Sequence, residues 1–207
     1  MDTVASADGT VIAFDRYGDG PPVTMTVGAF NTRSQTEPLA RALAPRFTAV
    51  NYDRRGRGDS GDTAPYAVEW EIDDIAALIQ QAGGRASVFG HSSGATLALQ
   101  AAASGLPITH LVLYEPPFNT DDSYPALPAG FAGELADLVA AGRRGDAVEL
   151  YQTQAVGIPR GWWSNCGTPR SVPAWRRSRT PSPTTRRSSV TVPCRPGCSP
   201  PSPSRPW

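Results

Sequence analysis

The segment 87–95, SVFGHSSGA, constrains this chain more than any other. Its residues 90–94, GHSSG, fit the pattern G-x-S-x-G between a predicted strand and a predicted helix. Small residues beside Ser92 permit a sharp turn in which larger side chains would collide with neighbouring backbone. Such a turn lifts the serine above the strand end, where helix amides can stabilise an oxyanion. We therefore expect Ser92 to be a nucleophile; the alternative is an ordinary glycine-rich turn.

Strands alternate with helices over the first half of the chain, which predicts a parallel α/β sheet. A hairpin with an Asp-Gly turn is expected over residues 3–16. The predicted strands are 23–27, 47–52, 86–89 and 108–114, and the predicted helices are 37–43, 68–82 and 95–103. After Pro117 the pattern becomes helical, with helices expected at 131–141 and 146–156. Asp146 and Glu149 in the last helix are spaced like a capping box.

Charge divides the chain into unlike parts. All nineteen acidic residues precede Val156, whereas residues 159–207 contain nine of the nineteen arginines and no acid. Proline is also concentrated in that last part. We therefore expect an α/β core over 1–117, the start of a helical cap over 118–158, and a Pro/Arg/Ser-rich disordered tail over 159–207.

Three segments carry a family resemblance: YDRRGRGDS at 52–60, GHSSG at 90–94 and LYEPP at 113–117. In this order and spacing they resemble the α/β-hydrolase superfamily, in its esterase-like and haloperoxidase-like branch, over residues 1–158. The resemblance implies an α/β-hydrolase fold, a mostly parallel sheet with helices on both faces, incomplete at its C-terminal side. It implies a serine hydrolase that acts on an ester or related small acyl substrate without cofactor or metal. It also implies a mainly structural role for Asp53, Arg54 and Arg55, with substrate binding by the two arginines as the alternative.

The same mechanism requires two backbone amides to hold the oxyanion. The amide of Ser93, directly after the nucleophile, is the first candidate. The second should come from the loop after an earlier strand, and Ala29 beside the permissive Gly28 is the best candidate there. Val27 stands where the family commonly has histidine, but a backbone donor survives that change.

A complete triad also needs an acid and a histidine, which this family places after the serine in chain order. Of the two histidines, His91 precedes the serine on the elbow, and His110 lies early in its strand, toward the opposite edge of the sheet. We expect neither to be the base. Glu115 lies where some branches keep the acid, although more keep it one strand later; otherwise it only ends a strand. We therefore expect this chain to lack its base and to turn over little substrate.

The last 49 residues permit two interpretations. As written, their arginine and serine suggest a basic segment that binds nucleic acid. Alternatively, the reading frame has shifted near residues 159–161. Tryptophan and cysteine codons read one base earlier all become NTG codons for aliphatic residues, and GC-rich codon choices then give amphipathic helical sequence. We favour the shifted frame, with the base encoded further downstream.

The remaining expectations concern partners and location. The N-terminus lacks the apolar run of a secretory signal, and no apolar stretch approaches the ~20 residues that span a bilayer. We expect a cytoplasmic protein with a small-molecule acyl substrate, no nucleic-acid partner and no membrane contact. The alternatives are a non-enzymatic hydrolase-like protein with a nucleic-acid-binding tail, or a parent enzyme that performs perhydrolysis or C–C bond hydrolysis.

Overall fold

A computed structural model describes residues 1–118 and 126–159. The described residues belong to two compact units, one containing 1–118 and the other containing 126–159. The shifted frame and the nucleic-acid-binding tail concern residues that lie, apart from Pro159, outside the described part. The boundaries expected at residues 117 and 158 stay predictions.

The first unit is built on one six-stranded sheet. Its strands are β1 (Asp2–Ala5), β2 (Val11–Tyr17), β3 (Pro22–Thr26), β4 (Thr48–Tyr52), β5 (Ala86–His91) and β6 (Ile108–Tyr114). The strand order is β1-β2-β4-β3-β5-β6, in which β1, β2 and β4 pair antiparallel and β4, β3, β5 and β6 pair parallel. This arrangement confirms the predicted α/β-hydrolase fold with a mostly parallel sheet.

Three helices cover both faces of the sheet: α1 (Arg33–Leu43), α2 (Val68–Gln81) and α3 (Ser93–Ala103). Successive strand residues point to opposite faces, so neighbours on β4 enter different cores. Val50 packs in the cluster formed with α2 and α3, whereas Ala49 packs in a smaller cluster that includes Ala40 of α1. The larger cluster comprises Ile12, Phe14, Val50, Tyr52, Ile75, Leu78, Ile79, Ala86, Val88, Leu97, Ala98 and Ala101.

The start of α1 differs from the sequence prediction. The helix begins at Arg33 rather than near residue 37 and contains Pro38 in its interior. The amide of Thr32 donates a hydrogen bond of 2.6 Å to Oε1 of Gln35, the reciprocal contact of a capping box. The T-x-x-Q pattern of Thr32 and Gln35 is present in the sequence, but Pro38 in the helix interior is unfavourable for a helix that begins there.

The second unit contains helices α4 (Phe131–Ala140) and α5 (Arg144–Gln154). The capping box predicted from Asp146 and Glu149 is wrong, because α5 begins two residues earlier, after Arg143. Oδ2 of Asp146 instead accepts a hydrogen bond from Nε of Arg143 at 2.6 Å. None of the helices in the described ranges is both long and apolar enough to cross a membrane.

Buried ion pairs connect the loop after β4, residues 53–60, to helix α2. Arg54 donates two hydrogen bonds of 2.5 Å to the carboxylate of Glu71, and Arg55 donates at 2.7 and 2.8 Å to Asp74. Burial raises the pKa of Glu71, but the hydrogen bonds and charge of Arg54 outweigh burial and hold that pKa below its ordinary value. Glu71 and Asp74 of α2 therefore neutralise Arg54 and Arg55.

Replacing Arg54 by alanine should destabilise the protein strongly, because the Glu71 charge would stay buried without its partner. We expect the free energy of unfolding to fall by about 3–5 kcal/mol. Arg41→Ala is the matched control, since the Arg41–Glu37 pair is exposed and its loss should cost at most about 1 kcal/mol. Urea unfolding of the three proteins measures both values, and equal losses would contradict the assignment.

Candidate active site

Four loops meet at one edge of the sheet, where the parallel strands β3, β4, β5 and β6 all end. Thr26, near the end of β3, pairs with Gly90 of β5, and His91 pairs with Tyr114 at the end of β6. The loop after β3 therefore lies beside the turn after β5. In open α/β sheets this carboxyl edge is where ligands bind.

Ser92 occupies the turn from β5 into α3 in a conformation that is rare for serine. Its φ is 53° and its ψ is −124°, and strained backbone of this kind concentrates at functional sites. The Ser92 amide donates a hydrogen bond of 2.9 Å to the carbonyl of Tyr114, and the Ser92 carbonyl accepts one of 2.8 Å from the amide of Ala95. The serine is thus held between β6 and the first turn of α3.

Close backbone contact explains the small residues around the serine. A Cβ at Gly94 would collide with the carbonyl oxygens of Thr26 and Val27, and a Cβ at Gly90 would lie 2.5 Å from Cα of Ala95. Both positions therefore need glycine for space. The steric argument made from the sequence is correct at both positions.

The two amides predicted to hold an oxyanion lie on either side of this turn. Ser93 is the first residue of α3, where amides have no intrahelical acceptor. Ala29 follows Gly28, and a methyl group on Gly28 would lie 3.2 Å from Cβ of Ser92. The Ala29 amide donates no hydrogen bond to any described residue. Its oxyanion role stays a prediction, and Gly28, the residue before it, packs against the serine.

Two arginines of the loop 53–60 reach the same place. Nη1 of Arg54 lies 3.3 Å from the carbonyl oxygen of Val27 and 3.2 Å from Oγ of Ser93. Nη1 of Arg57 donates a hydrogen bond of 2.7 Å to the carbonyl of Gly28. Sequence reasoning missed these contacts, because nothing in the local pattern shows which carbonyls a guanidinium will reach.

The two histidines lie at opposite ends of the strand that precedes Ser92. The His91 ring lies against Tyr114, with ring centroids 5.6 Å apart, and a methyl group on Gly28 would lie 3.2 Å from both Nδ1 of His91 and Cβ of Ser92. Nδ1 of His110 lies 3.4 Å from Oγ of Ser87, at the other end of β5. Ser92 follows Ser87 by five positions, a distance of about 16 Å along a strand. That neither histidine is the base stays a prediction.

Glu115 follows β6 at the same edge as Ser92, with a left-handed φ of 51°. Its side chain is exposed, and no described histidine accepts or donates a hydrogen bond to it. Its role as the acid stays a prediction. Within residues 1–118 and 126–159 no three metal-ligating side chains form a cluster.

The mostly parallel sheet and the strained serine in the strand–turn–helix at its carboxyl edge define the class of protein, an α/β-hydrolase fold. The model of the alpha/beta hydrolase family matches residues 25–207, and the chain belongs to that family.

Comparisons with individual proteins agree with this assignment. A crystal structure of an alpha/beta hydrolase from Sphaerobacter thermophilus is 55% identical, with a TM-score of 0.79 over 84% of this chain and 68% of that one. An esterase from Exiguobacterium antarcticum is 25% identical, with a TM-score of 0.56 over 67% of this chain and 55% of that one. The 2-(acetamidomethylene)succinate hydrolase of Mesorhizobium japonicum is 39% identical over 89 residues, 42% of this chain and 32% of that protein. The match thus spans about a third of that curated relative.

A methyl group at Gly94 should disturb the elbow, because it would press on the backbone of the neighbouring loop. We expect Gly94→Ala to lower the free energy of unfolding by about 1–3 kcal/mol. Gly133→Ala is the control, since a Cβ there meets nothing and alanine favours the helix by up to about 1 kcal/mol. Thermal unfolding compares the two, and a Gly94→Ala protein as stable as the control would contradict the tight packing.

Proposed function

We propose that this chain carries the nucleophile of a serine hydrolase that acts on an ester or related small acyl substrate through Ser92, and that the chain as written turns over little substrate because its base is missing. The observation that carries the proposal is the left-handed Ser92 on a strand-to-helix turn, beside a loop that offers the free Ala29 amide. Nucleophile elbows of this family use the same turn to expose a serine above the sheet.

In the proposed reaction, Oγ of Ser92 attacks the substrate carbonyl while its proton passes to a base outside the described residues. The amides of Ser93 and Ala29 hold the oxyanion that forms, and its collapse expels the leaving group, which takes the proton from the base, and leaves an acyl enzyme. Water then attacks the acyl carbon and gives a proton to the base, and this proton passes to Oγ of Ser92 as the acid is released. The positive end of α3 favours the negative charge of both tetrahedral intermediates.

The names of similar proteins support acyl chemistry at a coarse level. One solved neighbour is an esterase, and the Mesorhizobium relative is named for a substrate with an acetamido group, which is an amide. An ester and an amide both present a carbonyl to the same nucleophile. We therefore place the substrate among small esters and amides.

A fluorophosphonate probe tests the nucleophile directly, because it phosphonylates an activated serine. We expect mass spectrometry of the labelled protein to locate the adduct on Ser92 and Ser92→Ala to abolish it. Ser87→Ala is the matched control, since Ser87 lies on the same strand at its far end and should leave labelling unchanged. An adduct at another serine, or none on a protein with its base present, would refute the proposal.

The reading frame can be tested at the level of the gene. We expect sequencing across the codons for residues 155–163 to reveal one inserted or lost base. A protein expressed from the corrected frame should hydrolyse p-nitrophenyl acetate several orders of magnitude faster than the chain as written, because loss of the base costs that much. An intact frame would refute the frame shift, and substantial hydrolysis of p-nitrophenyl acetate by the chain as written, abolished in Ser92→Ala, would refute the missing base.

A further inference from the structure

Arg57 differs from the two other arginines of its loop. Arg54 and Arg55 are neutralised by buried carboxylates, whereas Arg57 forms no ion pair with any described residue. Burial is the largest cause that lowers the pKa of Arg57, and the positive charge of Arg54 is the second. Together they lower this pKa to about 10. The group therefore remains charged at neutral pH, and a half-buried charge held without a carboxylate partner requires an explanation.

Among the described residues, the side chain of Arg57 donates one hydrogen bond, and it goes to the peptide group that carries the candidate oxyanion amide. Its acceptor is the carbonyl of Gly28, at 2.7 Å, and that carbonyl belongs to the peptide group whose N–H is the amide of Ala29. The Gly28–Ala29 bond is trans, because the cis bond found among the described residues is Ala64–Pro65. In a trans peptide the C=O and the N–H point in opposite directions. The carbonyl of Gly28 is held by Arg57 and, at the longer distance of 3.4 Å, by the amide of Asn31, so the Ala29 amide points away from Arg57.

The charge of Arg57 also affects the strength of that amide as a donor. A hydrogen bond from a guanidinium to a carbonyl withdraws electron density from the peptide group. The N–H at the other end of the group then becomes a better donor, as in polarised chains of hydrogen bonds. This effect favours an anionic acceptor over a neutral carbonyl.

We propose that Arg57 is a positioning residue for the oxyanion hole: its guanidinium fixes the direction of the Ala29 amide and strengthens it as a donor. The assignment rests on the proposed function of Ser92 and Ala29. The loss of Arg57 should weaken stabilisation of the tetrahedral intermediate and leave binding of the uncharged substrate nearly unchanged.

Kinetics of phosphonylation test the assignment. Arg57→Met removes every donor and retains most of the side-chain length, Arg57→Lys retains the charge, and Arg85→Met alters an exposed arginine as the control. We expect Arg57→Met to lower the limiting rate of Ser92 labelling about 10- to 100-fold, below the effect of deleting an oxyanion donor outright. The concentration of probe at half-maximal rate should stay unchanged, and Arg57→Lys should recover most of the rate.

A second measurement covers the case in which labelling is too slow or Arg57→Met unfolds. The hydrogen exchange rate and chemical shift of the Ala29 amide, measured by NMR in the wild type and in the shorter, uncharged variant Arg57→Gln, report its hydrogen-bonding geometry without any turnover. We expect both to change at Ala29 and to remain unchanged in Arg85→Met.

The outcomes separate the two proposals. Normal labelling of Ser92 in Arg57→Met, or an equal loss of rate and of probe affinity, would overturn the role of Arg57 and leave the nucleophile intact. An Ala29 amide whose exchange rate and chemical shift are the same in Arg57→Gln as in the wild type would also overturn it. Altered Ala29 signals in a protein whose Ser92 never labels would instead support the positioning contact and refute the serine-hydrolase proposal.

Discussion

The geometry of the site depends on the guanidinium of Arg54. Nε and Nη2 of this group donate to the carboxylate of Glu71 on α2, whereas Nη1 donates to the carbonyl of Val27 and the hydroxyl of Ser93. A single buried side chain thus joins a surface helix, the loop after β3 and the first residue of α3. Breaking such a pair leaves an uncompensated charge inside the protein. The positions of the two candidate oxyanion amides are therefore tied to the stability of α2.

The serine turn places a second constraint on the same edge of the sheet. The left-handed conformation of Ser92 is unfavourable for a residue with a side chain, so surrounding contacts must hold it. Those contacts are the hydrogen bond to Tyr114 on β6 and the packing of Gly94 against the β3 backbone. Both come from strands adjacent to β5. The strained backbone conformation of Ser92 is therefore maintained by contacts with β3 and β6 as well as by the turn after β5.

Sequence reasoning succeeded where the signal was local and periodic. The strands, the hairpin and the elbow each carry such a signal, and the elbow also comes with a steric reason for its glycines. The start of α1 was missed because Pro38 outweighed the cap at Thr32. The contacts of Arg54 and Arg57 could not be predicted, since they join residues that are far apart in the chain. Identical side chains in one loop acquire different roles only when the fold brings carboxylates to some of them.

This unequal pairing sets the charge at the site. Arg54 and Arg57 both contact the loop after β3, where Glu71 pairs with Arg54 and no described carboxylate pairs with Arg57, whereas Asp15, Asp53 and Asp59 surround Arg33 at the end of that loop. The N-terminus of α3 adds a partial positive charge at the same sheet edge. An anion that forms next to Ser92 would therefore meet a field that already favours it, and its protein donors need no rearrangement at that moment. A carboxylate placed beside Arg57 would cancel its charge and weaken this field. The lack of a partner for Arg57 is thus consistent with a site that stabilises a transient negative charge.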